Sequence, residues 1–162
     1  MGALQRAAEL YAEGRVHDAL EVAQVACEVR PKDADSWWLL GQVTRHAGLT
    51  QASDDAFRRA AELSPDRPLP ARVSEARFRT LVEEARAVLA REGLTGLGEV
   101  RIEVRPLPAE ELVQSGVAPD ALVHVSGPGH LVVFQANLEN GSRSAEELAE
   151  RLRGVLRETA AG

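Results

Sequence analysis

Histidine and cysteine are the residues here that most readily bind a metal ion or transfer a proton, and the chain has four histidines and one cysteine. His17 and His46 lie in segments with helical periodicity, where exposed polar residues are expected. His124 alternates with valines in a strand pattern, and His130 follows a turn. A zinc site formed by His124, His130 and a carboxylate is one hypothesis, but the spacing matches no pattern of zinc ligands. The sequence therefore predicts no metal site and no cofactor.

The composition argues against several classes of function. The 162 residues carry a net charge of −6, whereas a nucleic-acid-binding surface needs a cluster of basic residues. No stretch approaches the roughly 18 consecutive apolar residues of a membrane span. The excess of arginine over lysine is typical of a GC-rich bacterial genome. Cys27 lies in a periodic apolar row, so we expect a buried thiol in a protein of the reducing cytoplasm.

The first part of the chain repeats itself with an offset of 34 residues, from Gly14 to Gly48. The matched positions are Gly14 and Gly48, Val16 and Thr50, Ala19 and Ser53, Ala23 and Phe57, Ala26 and Ala60, Val29 and Leu63, and Pro31 and Pro65. Glycine ends the first helix of a hairpin, small residues let the second helix approach closely, and proline closes the unit. The pattern predicts helices near residues 2–13, 16–30, 34–47 and 50–63, with Asp33 as the cap of the third.

This repeat resembles the tetratricopeptide repeat. The family pattern is matched in the second copy by Trp37, Leu40, Gly41, Phe57, Ala60 and Pro65, whereas the first copy has Ala7 at the glycine position and no tryptophan. The resemblance implies a concave surface, formed by the first helix of each hairpin, that holds a peptide. The residues on this surface, which we name the predicted groove, are Leu4, Ala8, Tyr11, Trp38, Gln42, Arg45 and His46.

Trp38 is a candidate for partner binding in the predicted groove. Because Trp37 takes the packing position of the repeat, its neighbour Trp38 should point elsewhere, and an exposed tryptophan beside Arg45 has the composition of an interface hot spot. The alternative is that Trp38 packs on the second domain. The groove is expected to bind a protein or peptide, and self-association is a further use of the same surface.

A proline-rich connection, "SPDRPLPAR", separates the repeats from the rest of the chain. It divides the sequence into a repeat domain at 1–68 and a second domain at 72–162. A helix from about Ser74 begins the second domain and is expected to cap the repeats, because the last repeat of such an array needs a cover for its apolar face.

The second domain combines strands with helices. Val100, Ile102 and Val104 alternate with charged residues and predict a half-buried strand. "PAEELVQSG" predicts a short helix or turn, "ALVHVSGPGH" a strand and a turn, and "LVVFQANL" a central strand that is apolar on both faces. Ser144 and Glu147 form a capping box, and the helix that follows has a buried stripe of Leu148, Leu152, Val155 and Leu156.

From Phe78 to the C-terminus this order is similar to the small bacterial zincin-like metallopeptidase domain, in which a strand ending in Asn-Leu-Glu leads to a helix that carries His-Glu-x-x-His. "NLE" is present at residues 137–139. The two histidine positions of the motif fall on Arg157 and Ala161, and the general-base position on Glu158. Arginine and alanine cannot bind zinc, and the family's third ligand would lie downstream of the helix, where one residue follows Ala161.

We therefore expect an α+β protein with two tetratricopeptide hairpins and a zincin-like domain that lacks its metal ligands. Its expected function is protein interaction without catalysis, in the cytoplasm, with no catalytic residue and no nucleic-acid or membrane partner. Glu158 is expected to be a surface charge rather than a base that works without metal. The alternative is a metal-dependent peptidase with an unusual ligand set or one completed by a partner chain.

Overall fold

A computed structural model of the protein describes residues 1–161 and has the predicted α+β composition, with helices and one three-stranded sheet. Contacts group the chain into two compact units. The first consists of Met1–Pro70 and Pro108–Asp120, and the second of Ala71–Leu107 and Ala121–Gly162. Residues 108–120 thus belong with the first unit by their contacts, although the sequence placed them within 72–162. We name them the inserted segment.

Four helices form the body of the first unit: α1 (Ala3–Ala12), α2 (Val16–Val29), α3 (Ala34–His46) and α4 (Thr50–Leu63). The sequence predicted each of them to within one residue at either end. α1 packs on α2 and α3 packs on α4, so the helices form two successive hairpins, and α2 also packs on α3.

The two hairpin turns have the same backbone geometry. Gly14 and Gly48 have φ angles of +80° and +81°, a left-handed conformation that glycine adopts without a steric cost. The prediction of Asp33 as a helix cap was correct in position only. Asp33 precedes α3, but its carboxylate accepts a hydrogen bond from Ser36 Oγ at 2.7 Å and none from a backbone amide of the helix.

The second unit is built on the sheet. Its strands are β1 (Arg101–Arg105), β2 (Val123–Gly127) and β3 (His130–Phe134), in the order β1-β3-β2. β3 is parallel to β1 and antiparallel to β2. The prediction that "LVVF" is the central strand is confirmed, and four of the five residues of β3 are buried.

The strand prediction for "QANL" was wrong. The strand ends at Phe134, and α7 (Gln135–Asn140) follows directly, so that "NLE" lies on a short helix instead of at a strand end. The backbone amide of Ala136 donates a hydrogen bond to Pro106 O at 3.0 Å, just beyond the end of β1, and not to a neighbouring strand. Ala136 and Leu138 continue the alternation of a strand, and a segment of four residues is too short to show the helical period, which explains the error.

Two long helices, α5 (Glu75–Arg91) and α8 (Ala145–Ala161), pack together and complete the core of the second unit. Ser144 caps α8 by accepting a hydrogen bond from the amide of Glu147 at 3.1 Å, as predicted. The Glu147 carboxylate returns a bond to the amide of Arg143, one residue before the expected position. The predicted stripe is confirmed, because Leu148, Leu152 and Leu156 are fully buried and Val155 is partly buried.

The inserted segment contains the short helix α6 (Glu110–Gln114), as the sequence suggested for "PAEELVQSG". In the chain it connects β1 to β2. Leu112, Val113 and Val117 are half-buried and Pro119 is fully buried, whereas most of its other residues are exposed.

Candidate functional site

Tyr11 and His46, two residues of the predicted groove, come together in the first unit. Their rings meet edge to face with centroids 5.4 Å apart. Tyr11 is 5% exposed, and His46 is half-buried at the end of α3. We name this pair, together with Gly14 at the turn between α1 and α2, the Tyr11–His46 site.

The inserted segment occupies this site. His46 Nε2 donates a hydrogen bond of 2.7 Å to the carbonyl oxygen of Pro119, whose ring is fully buried. Val113 lies against Gly14 so closely that a Cβ atom there would be 2.5 Å from Val113 Cγ1. The first unit therefore holds a piece of polypeptide by a backbone carbonyl, a proline ring and an aliphatic side chain.

Burial and one carboxylate determine the electrostatics of the site. Burial lowers the pKa of His46, and the Pro119 carbonyl and the Asp120 carboxylate partly oppose that shift. Burial and Asp120 together raise the pKa of Tyr11 far above its usual value. Both rings are thus neutral near pH 7. A carbonyl oxygen can only accept, so His46 carries its proton on Nε2.

The hydroxyl of Tyr11 is buried and has no hydrogen-bond partner among residues 1–161. A buried hydroxyl without a partner loses the hydrogen bonds it made to water, which costs about 1–3 kcal/mol. The inserted segment therefore fills the site without satisfying its most buried polar group.

The remaining residues of the predicted groove differ from one another in burial and in contacts. Leu4 is half-buried and packs on the same core as Tyr11, Gln42 is half-buried, and Ala8 is exposed one turn before Tyr11. Arg45 pairs with Asp54, with 3.4 Å between Nη1 and Oδ1, and its side chain is 19% exposed.

Trp38 is not the exposed tryptophan beside Arg45 that the sequence predicted. It is half-buried, and its ring meets the fully buried ring of Phe57 edge to face at a centroid distance of 4.8 Å. The cation above it is Arg67, with Cζ 5.0 Å from the ring centroid. Arg67, which follows α4 in the chain, therefore takes the position beside Trp38 that was expected for Arg45. Trp38 is thus part of the packing of the first unit.

The three residues that the sequence analysis compared with the zinc motif, Arg157, Glu158 and Ala161, lie on the surface of α8. Arg157 pairs with Glu92, with 2.9 Å between Nη2 and Oε2, and both side chains are about half exposed, at 47% and 45%. Glu158 and Ala161 are exposed. His130 Nε2 lies 3.1 Å from the Glu103 carboxylate. In the part of the chain that the structure describes, no three metal-binding side chains are grouped so as to hold an ion.

The "NLE" residues instead fix the backbone of the second unit. Asn137 Nδ2 donates to Ala121 O at 2.8 Å, at the point where the chain leaves the inserted segment. The Glu139 side chain is only 3% exposed, and its carboxylate accepts from the Val73 amide at 2.9 Å and from Arg72 Nη1 at 3.3 Å. These buried polar contacts explain the residue types without a metal.

Cys27 offers no reactive nucleophile. It is 4% exposed, and burial, with smaller contributions from Asp33 and Glu28, raises the pKa of its thiol to about 11. It lines an open cavity of about 550 Å³ that Trp37 and Leu40 also border.

The sequence predicted Tyr11 and His46 as site residues but missed Val113, Pro119 and the rest of the inserted segment. The available signal was that prolines lie at both ends of the segment, Pro106 and Pro108 before α6 and Pro119 after it, around a short helix with apolar residues.

Comparisons of this chain with protein families, with curated proteins and with solved structures found no match. Across residues 1–161, no helix has the length and apolar character needed to cross a membrane.

Proposed function

We propose that this protein is a non-catalytic interaction module whose first unit binds a peptide segment of another protein at the Tyr11–His46 site. The observation that carries the proposal is that this site already holds a stretch of polypeptide by its backbone, through the bond from His46 to Pro119 O. A contact to a backbone carbonyl accepts many sequences, and adjacent pockets for side chains select among them.

The four helices are, in this proposal, two tetratricopeptide hairpins. The offset from Gly14 to Gly48 and the equal φ angles of those glycines support it. So does the close packing of Gly41, where a Cβ atom would lie 2.7 Å from Phe57 Cδ1. In such hairpins the first helices line the peptide-binding surface, and Tyr11 and His46 lie on α1 and α3.

The second unit is, in this proposal, a scaffold related to zincin-like peptidases but without their chemistry. The order of helix, strands and final helix supports the relation. The loss of function rests on residue type, because Arg157 and Ala161 occupy the two positions that need histidine. The buried thiol of Cys27 and the acidic net charge of −6 agree with a cytoplasmic protein that binds proteins instead of nucleic acids.

The test is capture of partners from the native host with three forms of the full chain. Ala8→Arg places a long charged side chain one turn from Tyr11, and Ala52→Arg places the same side chain on an exposed position of α4 as the matched control. We expect one protein to be recovered with wild type and Ala52→Arg, and at least ~10-fold less with Ala8→Arg.

The captured protein is then purified, and its affinity for the three forms is measured directly. Equal recovery with all three forms would contradict the groove assignment. Recovery of no protein with any form would contradict the proposed function.

A further inference from the structure

The inserted segment resembles a bound peptide more than a part of the core. Its helix α6 has five residues, too few to be stable alone. Most of its backbone hydrogen bonds are internal, such as those from the Val113 amide to Ala109 O and from the Val117 amide to Leu112 O. Its contacts with the helices of the first unit include that of Val113 with Gly14 and the bond from His46 to Pro119, whose ring is fully buried.

We infer that the inserted segment is a built-in, displaceable occupant of the Tyr11–His46 site, and that the partner is a peptide with an aliphatic residue and a following proline that replaces it. The inference rests on the proposed function and specifies its ligand. The aliphatic side chain would take the place of Val113 against Gly14, and the proline carbonyl would accept from His46 Nε2.

The unpaired hydroxyl of Tyr11 explains how an outside peptide can compete with a tethered one. The tether gives the inserted segment an effective concentration of about the millimolar range, which favours the occupied state. The resting occupant nevertheless leaves the buried hydroxyl of Tyr11 without a hydrogen-bond partner in residues 1–161. A partner that offers the hydroxyl a hydrogen bond recovers free energy that the segment does not.

The ends of the segment allow such an exchange without unfolding. Pro106 O accepts from the Ala136 amide at 3.0 Å, and Ala121 O accepts from Asn137 Nδ2 at 2.8 Å. Both anchors lie outside residues 108–120 and belong to the second unit. The segment can therefore leave the site while the chain on either side of it keeps its hydrogen bonds.

The first experiment measures binding of a synthetic peptide with the sequence of residues 108–120, PAEELVQSGVAPD, blocked at both ends and labelled with a fluorophore. It is titrated with full-length wild type, Val113→Asp and Gln114→Asp. Val113→Asp removes the anchor on Gly14 but leaves the site intact, whereas Gln114→Asp adds the same charge at the adjacent exposed position.

We expect Val113→Asp to bind the peptide at least ~10-fold more tightly than wild type and Gln114→Asp, because the apparent affinity falls in proportion to the fraction of molecules whose site is free. A peptide with aspartate in place of its own valine should not bind any form. Equal binding of the original peptide by all three forms, or loss of the cooperative thermal transition in Val113→Asp, would overturn the inference.

The second experiment needs no substitution. Native-state hydrogen exchange of the wild type should show the Val113 and Val117 amides exchanging through a local opening, well before the buried amides of Val43 and Phe57. Exchange of all four only on global unfolding would overturn the inference.

The two proposals can fail independently of each other. If Val113→Asp binds the peptide but captures no protein, the result supports the inference and contradicts the proposed function. If wild type and Val113→Asp capture a partner equally, the result supports the proposed function and contradicts the inference.

Discussion

His46 is both the titratable group of the site and the donor that holds the inserted segment in it. Its ring is half-buried between the Tyr11 ring and the Pro119 carbonyl, and burial has the largest effect on its pKa. Neutral imidazole with the proton on Nε2 satisfies the carbonyl and avoids burial of a full charge. Protonation would place a cation in the site, with the Asp120 carboxylate as the charge that partly compensates it.

This arrangement predicts a dependence of stability on pH. The folded-state pKa of His46 lies below its ordinary value of 6.5, so the folded protein binds fewer protons than the unfolded chain. The corresponding stability is complete above about pH 6.5 and is lost as the pH falls through the folded-state pKa. Thermal unfolding between pH 8 and pH 5 should show this loss in wild type but not in His46→Gln, which keeps a donor and does not titrate. Parallel curves for the two proteins would contradict it.

Gly14 and Gly48 provide a matched pair of substitutions. Both have φ near +80°, so alanine at either should cost about 1–2 kcal/mol for the left-handed backbone. Only Gly14 faces a neighbour within 4 Å, the Val113 side chain. We expect Gly14→Ala to cost at least ~1 kcal/mol more than Gly48→Ala in denaturant unfolding. The excess should disappear when Val113→Ala is added, and an excess that persists would show that Val113 is not its cause.

The elements differ in how much of them was predictable. The bounds of α1 to α4 could be predicted from glycines and prolines that recur at a fixed offset, because the ends of these helices are determined by residues close in sequence. α7 was missed because "QANL" follows the apolar strand directly, and four residues with Ala136 and Leu138 two apart fit the alternation of a strand. The docking of the inserted segment depends on contacts such as His46 with Pro119, which no local pattern encodes. The sequence therefore listed Tyr11 and His46 together, and the structure brings their rings into contact, but the segment that covers them was not predictable.

α7 yields a prediction about stability because it carries Glu139. Removing this carboxylate in Glu139→Ala takes away the acceptor of the Val73 amide and the ion-pair partner of Arg72, which we expect to cost about 3 kcal/mol. Glu150→Ala, at an exposed position of the neighbouring helix α8, should change stability by less than about 0.5 kcal/mol. Denaturant unfolding measures both. Similar values for the two variants would mean that Glu139 does not anchor the start of the second unit.

At the scale of the whole molecule, the proposal that the second unit lacks metal chemistry can be tested by its zinc content. Protein purified without chelator should contain far less than one zinc per chain, because in the proposed relation to zincin-like peptidases the two histidine positions are Arg157 and Ala161. Elemental analysis tests this directly, and about one zinc per chain would contradict it. Arg157→His with Ala161→His should bind zinc weakly and cleave no peptide. Turnover by that double variant would reveal a third ligand elsewhere, and His124 and His130 are the first candidates.

The final prediction concerns the independence of the first unit. A fragment of residues 1–68 contains α1 to α4 but lacks both the inserted segment and the entire second unit. Two repeats without a cover for their apolar surface are marginally stable, and we expect this fragment to be poorly folded or to aggregate. Circular dichroism during heating should show no cooperative transition, and the full chain measured beside it should show one. A soluble fragment that unfolds cooperatively would mean that the four helices are stable without the rest of the chain.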